Sequence, residues 1–301
     1  MRRIVLVGAV LLGCAIAVFW LLTAPERAAP EQIAGGTPNL ENGRLVFFAG
    51  GCASCHAIPG QPDKLLLGGG VEIASPAGKF VTPNISTSPE RGIGNWTGEQ
   101  FATALLKGTS PANRHYYPAF PYTTYQRMTP DDVRDLFAFL KTLAPSDNVP
   151  ASHAFPLELS PVRRAMGIWK KLNLDGLPLE PKPGESADWN RGRYIVEALG
   201  HCAECHSPRD LTGAIIASRR YAGADLPNGD NAPNITPGKG GIGDWSEDDI
   251  TFFLKDGSMP DGDVAGGDMG RVIQNTSQLP EDQQHVIAVY LKSLGPIDDA
   301  P

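Results

Sequence analysis

The pentapeptide Cys-x-x-Cys-His occurs twice, as Cys52-Ala53-Ser54-Cys55-His56 and as Cys202-Ala203-Glu204-Cys205-His206. Cysteines at i and i+3 share one helix face. Two thiols so placed each reach one vinyl group on the same porphyrin edge. The next residue turns by about 100° and aims its imidazole at the iron. The spacing is a geometric requirement of covalent haem attachment. A zinc site would need further ligands, and only Cys14 remains outside the two motifs. A redox Cys-x-x-Cys would need a βαβ setting, which the pattern lacks. The reading is two covalently bound haem c groups, on Cys52 and Cys55 and on Cys202 and Cys205, with His56 and His206 as iron ligands.

The motifs sit at matching places in an internal repeat. Asn42-Gly43-Arg44 leads to Cys52, and Arg191-Gly192-Arg193 leads to Cys202. Pro83-Asn84-Ile85-Ser86 matches Pro233-Asn234-Ile235-Thr236, each Asn lying 32 residues after the first cysteine. Gly92-Ile93-Gly94-Asn95-Trp96 matches Gly241-Ile242-Gly243-Asp244-Trp245. Trp96 and Trp245 are candidates to line the haem pockets, and Asn84 and Asn234 to hold a loop at the haem edge. Plain core packing and turn formation account for these four residues equally well.

Helix signals dominate. Thr97-Gly98-Glu99-Gln100 and Ser246-Glu247-Asp248-Asp249 resemble capping boxes, and Thr129-Pro130 places proline at a first helical position. Val133, Leu136, Phe137 and Leu140 are spaced i, i+3, i+4, i+7, which buries one face. Each half closes on a helical pattern, over 131–143 and 280–294. No strand alternation is evident. The expected fold is mostly α, two tandem cytochrome c domains of class I at 36–150 and 185–297. Between them, 151–184 contains Pro156, Pro161, Pro178, Pro181 and Pro183 with a short helix expected over 163–171, and its apolar content predicts a packed linker.

Arg2 and Arg3 precede an uncharged apolar run from Ile4 to Leu22. These 19 residues span about 28 Å as a helix, close to a bilayer core. Residues 1–24 are read as an uncleaved transmembrane helix. A signal peptide has a shorter apolar core and an Ala-x-Ala-like site, and a lipoprotein at Cys14 would begin with an apolar stretch. Cys14 is then an apolar filler in the span. The arginines stay on the cytoplasmic side, so the rest of the chain lies outside the membrane. The formal net charge of -7 disfavours nucleic acid and permits docking on a basic partner.

Each iron has a sixth position. Of five methionines, Met128 is the candidate in the first half, 76 residues after Cys52. His115 is its rival, expected at the surface. In the second half, Met269 is preferred over Met259 because it leads into the last helix. Methionine opposite histidine raises the potential and fills the iron. A filled iron has no place for substrate and points to electron transfer. His153 and His201 suggest no role.

The run from Trp189 to Cys202, Cys205-His206-Ser207-Pro208-Arg209, Tyr117-Pro118-Ala119-Phe120-Pro121-Tyr122 with Met128, Ala265-Gly266-Gly267-Asp268-Met269 and Met166-Gly167-Ile168-Trp169-Lys170 resemble the cytochrome c subunits of membrane-bound bacterial periplasmic dehydrogenases. The resemblance covers nearly all of the chain after about Asn39. It implies Met128 and Met269 as axial ligands. It also implies a periplasmic dehydrogenase partner for alcohols, aldehydes or gluconate, and a place on the periplasmic side of the cytoplasmic membrane. The acceptor would be a soluble cytochrome, a terminal oxidase or quinone. The alcohol and gluconate subunits carry three haems, whereas this sequence has two motifs. The competing function is a dihaem enzyme, such as a cytochrome c peroxidase or thiosulfate dehydrogenase, which needs an iron that opens a site.

Overall fold

The computed structural model describes residues 2–33, 35–76, 78–154 and 160–299. Helix α1 (Arg2–Leu22) carries the apolar run, and none of its residues is buried in the protein. The first half comprises α2 (Leu40–Ala49), α3 (Cys52–His56), α4 (Gly98–Lys107), α5 (Tyr122–Tyr125) and α6 (Pro130–Leu140). Helix α7 (Ser160–Asn173) follows. In the second half, α8 (Ala187–Tyr194) continues into a π turn over Ile195–Leu199 and a short 3-10 turn over Cys202–Glu204. Then come α9 (Glu247–Asp256), α10 (Gly267–Thr276) and α11 (Glu281–Lys292).

Each half is built on a crossing of its first and last helices, α2 on α6 and α8 on α11. The crossings require glycine. A Cβ at Gly43 would lie 2.1 Å from the Asp135 carbonyl oxygen, and one at Gly192 would lie 1.8 Å from that of Val286. The caps form as the sequence predicts. Thr97 and Ser246 make reciprocal capping boxes, and Thr129 caps α6 with Pro130 in its first turn.

The structure corrects the expectation of no strands. Strand pairs are present, β1 (Glu72–Ser75) with β2 (Gly78–Val81) and β3 (Ala224–Asp225) with β4 (Asn231–Ala232), both antiparallel. At two to four residues each, they are too short for alternation to register. His153 receives a role, because its Nδ1 accepts from the Val81 backbone at 3.1 Å.

Between the halves, Lys170 of α7 donates to the carbonyls of Lys107 and Gly108, and the Trp169 indole donates to Thr212 in the second half. Residues 155–159, which include Pro156, lie outside the described residues. Tyr194 bonds across the halves to Asp132, 2.5 Å, and accepts from the Thr129 backbone, 2.9 Å.

The end of α1 is docked. Thr23 is fully buried, its Oγ1 accepts from Arg164 Nε at 3.1 Å, and Arg164 Nη2 donates to Trp20 O at 2.6 Å. His115 lies in the same nest with its Nε2 2.9 Å from Thr23 O. The sequence places His115 at the surface. It is instead 2% exposed, because the chain leaving α1 covers it.

Candidate haem centres

The residue before each first cysteine is left-handed, Gly51 at φ 62° and His201 at φ 42°. This conformation strains a histidine but not a glycine. It starts the turn that puts Cys52 beside Cys55 and Cys202 beside Cys205. None of the four cysteines is tied up in a disulfide. Burial pushes Cys52 and Cys202 up to about 12 and Cys205 to about 11, so before haem is attached they are neutral thiols.

Both histidines are oriented in the same way. His56 Nδ1 lies 2.9 Å from the Pro83 carbonyl, and His206 Nδ1 lies 2.7 Å from that of Pro233. A carbonyl only accepts, so the proton is on Nδ1 and Nε2 keeps its lone pair for a metal. Burial holds both imidazoles below the ordinary histidine range, in the neutral, ligating form. Paired cysteines next to an imidazole with Nε2 free are the donor set a c-type haem requires, and the residues present fit it.

Asn84 and Asn234 directly follow the prolines whose carbonyls bond the histidines, and they anchor those loops. Asn84 donates to Ser146 O and Asn148 O, at 2.8 and 3.0 Å, and accepts from the Ser86 backbone. Asn234 donates to Ile297 O at 2.6 Å and accepts from the Thr236 backbone. Trp96 and Trp245 are half-buried against the core, the latter edge-on to Phe253.

The methionines occupy unlike places. Met128 is 2% exposed, between α5 and α6. Met269 is half-buried in the first turn of α10. The bridge Thr109↔His115 matches Ser258↔Val264, and counting on from it pairs Met269 with Phe120, not with Met128. Phe120 packs on Tyr116, Tyr122 and Tyr125. Met259 lies in a tight turn, bonded to Asp263 and Gly262 through its backbone.

Sequence reasoning did not anticipate how the two motifs meet. Ser54 of the first motif donates to Arg271 O and accepts from Asn275 of α10, at 3.0 and 2.7 Å. Glu204, at the matching place in the second motif, accepts from Thr123 and Thr124 of α5. Each motif thus packs on the pre-methionine or methionine-bearing segment of the other half. The His201 ring meets Tyr125 edge-on, and Tyr125 Oη donates to Gly50 O at 2.8 Å. Cys55 lies close enough to Cys205 to contribute to its upward shift.

Residues 40–144 match the family model described as Cytochrome c. A "Diheme cytochrome c-type" protein of Cereibacter sphaeroides is 46% identical over 99% of this chain and 100% of its own length. The "Fructose dehydrogenase cytochrome subunit" of Gluconobacter japonicus is 38% identical over 88% of this chain. A nicotinate dehydrogenase polypeptide of Pseudomonas putida is 36% identical over 95%. The chain spans 54% and 24% of those two proteins. This protein belongs to the dihaem c-type cytochromes, with two covalently bound haem c groups and electron transfer as its chemistry.

Proposed function

We propose that the chain takes electrons from a dehydrogenase partner at the outer face of a membrane and passes them through two haem domains, 36–150 and 185–297, to a respiratory acceptor. Cys52, Cys55 and His56 hold one haem and Cys202, Cys205 and His206 the other. Each iron supplies a one-electron ferric/ferrous couple. Met128 and Met269 would supply the second protein ligand to each iron. In the first half Phe120 replaces the counterpart of Met269 and has no donor atom, and His115 Nε2 is committed to Thr23 O. Met128 is the remaining soft donor there. Asn84 and Asn234 anchor the proline loops, and Trp96 and Trp245 wall the pockets.

The observation that carries this reading is the crossed packing of the two motifs through Ser54 and Glu204, which brings the two attachment sites together. The names of the fructose and nicotinate dehydrogenase relatives support a dehydrogenase partner. The burial of Thr23 supports retention of α1 as a membrane anchor, since cleavage there would open the nest around His115 and Arg164. Charge supports a basic soluble acceptor at the second half. Residues 185–297 contain seventeen acidic and nine basic residues, whereas 36–150 contain nine of each.

The test is isolation from membranes with the tagged full-length chain. Co-purification of a dehydrogenase whose substrate reduces both haems is the expected result. Reduction of neither haem by the substrate of any co-purifying dehydrogenase would refute it.

A further inference from the structure

The two halves differ by one residue in the helix leading to the haem motif. Gly43 precedes Cys52 by nine residues, and Gly192 precedes Cys202 by ten. The two glycines occupy equivalent crossings, since a Cβ at Gly43 would touch the Asp135 carbonyl and Phe139 Cβ, and one at Gly192 the Val286 carbonyl and Tyr290 Cβ. The π turn Ile195–Leu199 absorbs the extra residue. Such insertions in helices recur at functional sites. The polar side chain that this turn buries is Glu197, 7% exposed.

Glu197 is fully engaged. Its Oε1 accepts from Tyr221 Oη at 2.8 Å and Tyr290 Oη at 2.9 Å. Its Oε2 accepts from Arg220 at 2.8 Å and, across the halves, from Arg127 at 3.4 Å. Two phenols and two guanidiniums match a carboxylate, which only accepts. In the first half the same places are apolar. Phe139 stands where Tyr290 does. Leu67, whose carbonyl accepts from Ile85, stands where Tyr221 accepts from Ile235. Phe47 packs on Phe139 with ring centroids 5.4 Å apart.

We propose that Glu197 sets the potential of the second haem apart from that of the first. Buried negative charge beside the Cys202 attachment point favours ferric iron, and Arg127 and Arg220 oppose it. One electron converts ferric to ferrous iron, and no bond or proton changes place. The cluster lies at both ends of the motif. Glu197 precedes Cys202 by five residues, and the Tyr221 backbone donates to Ser207, the residue after His206, at 2.9 Å. After burial, Glu197 is the next cause of the rise of the Cys202 thiol. Arg127 adjoins Met128, so the first half supplies one of the charges that acts on the second haem.

The inference rests on haem attachment at Cys202 and Cys205. The test is a spectroelectrochemical titration of the detergent-solubilised full-length holoprotein, with haem counted by pyridine haemochrome. The second haem is the component lost in the Cys202→Ala/Cys205→Ala variant. Glu197→Gln is expected to raise that component's potential and leave the other in place. Arg127→Gln, at the rim of the cluster, is expected to lower the same component, and it decides alone if Glu197→Gln does not fold. Potentials that do not move, or that move together, would overturn the proposal. A double-cysteine variant that still holds two covalent haems would overturn the attachment reading instead.

Discussion

His56 Nδ1 donates to the Pro83 carbonyl at 2.9 Å, and Asn84 is the next residue of the same loop. Asn84 is 5% exposed and ties the loop to Ser146 O and Asn148 O. Asn84→Ala takes the donor from Asn148 O and leaves Ser146 O only the Ser86 hydroxyl at 3.4 Å, which costs about 1–3 kcal/mol. Chemical denaturation of the holoprotein is expected to show that loss, and Asn234→Ala a smaller one, since Thr236 still donates to Ile297 O at 3.1 Å.

Methionine ligation is visible in ferric haem as a sulfur-to-iron charge-transfer band. Met128→Ala and Met269→Ala are each expected to abolish one such band and to lower one potential once a stronger donor or water replaces the thioether. Met259→Ala is expected to leave both bands intact. Loss of a band in Met259→Ala would transfer the second-half assignment to that residue.

His115 gives stability a pH dependence of known sign. Burial, with Lys170 and Arg164 nearby, holds its pKa at about 4 against an ordinary 6.5, and the bond to Thr23 O opposes the shift only in part. Between those values the unfolded chain binds the proton and the folded one does not. Stability is therefore lost as pH falls from 6.5 to about 4, and this contribution is flat below. His115→Gln is expected to flatten that part of the curve in denaturation midpoints measured at pH 7, 6 and 5.

The helical class, the caps at Thr97, Ser246 and Thr129, and the repeat were legible because each rests on residues within a few positions of one another. His115 was misread because the group that buries it, Thr23, lies 92 residues away and beyond an apolar helix. Glu197 was missed because it interrupts an apolar run, Ile195-Val196-Glu197-Ala198-Leu199, without spoiling it. Its signal was the step of ten from Gly192 to Cys202, one longer than the step from Gly43 to Cys52. The hairpins were missed because a pair of two- to four-residue strands is held by turn geometry rather than by a hydrophobic face.

The crossed contacts also bear on how the molecule unfolds. Tyr194 to Asp132, Glu204 to Thr123, and Ser54 to Asn275 each join one half to the other, and Tyr194 accepts from the backbone N–H of Thr129, the cap of α6. Two domains joined only by a linker would melt separately. These bonds, made by side chains that are at least half-buried, make opening of one half expose polar groups of the other, so a single calorimetric transition is expected. Tyr194→Phe removes the partner of both Asp132 and the Thr129 N–H, and Glu204→Ala frees α5 from the second motif. The two sites share no partner, so their costs are expected to add. Combined, they should split the transition into two while both haems stay attached, which calorimetry with pyridine haemochrome on the same sample would establish. A single sharp transition in the double variant would mean that the contacts it leaves between the halves, Ser54 with Asn275 and Arg127 with Glu197 among them, suffice to couple them.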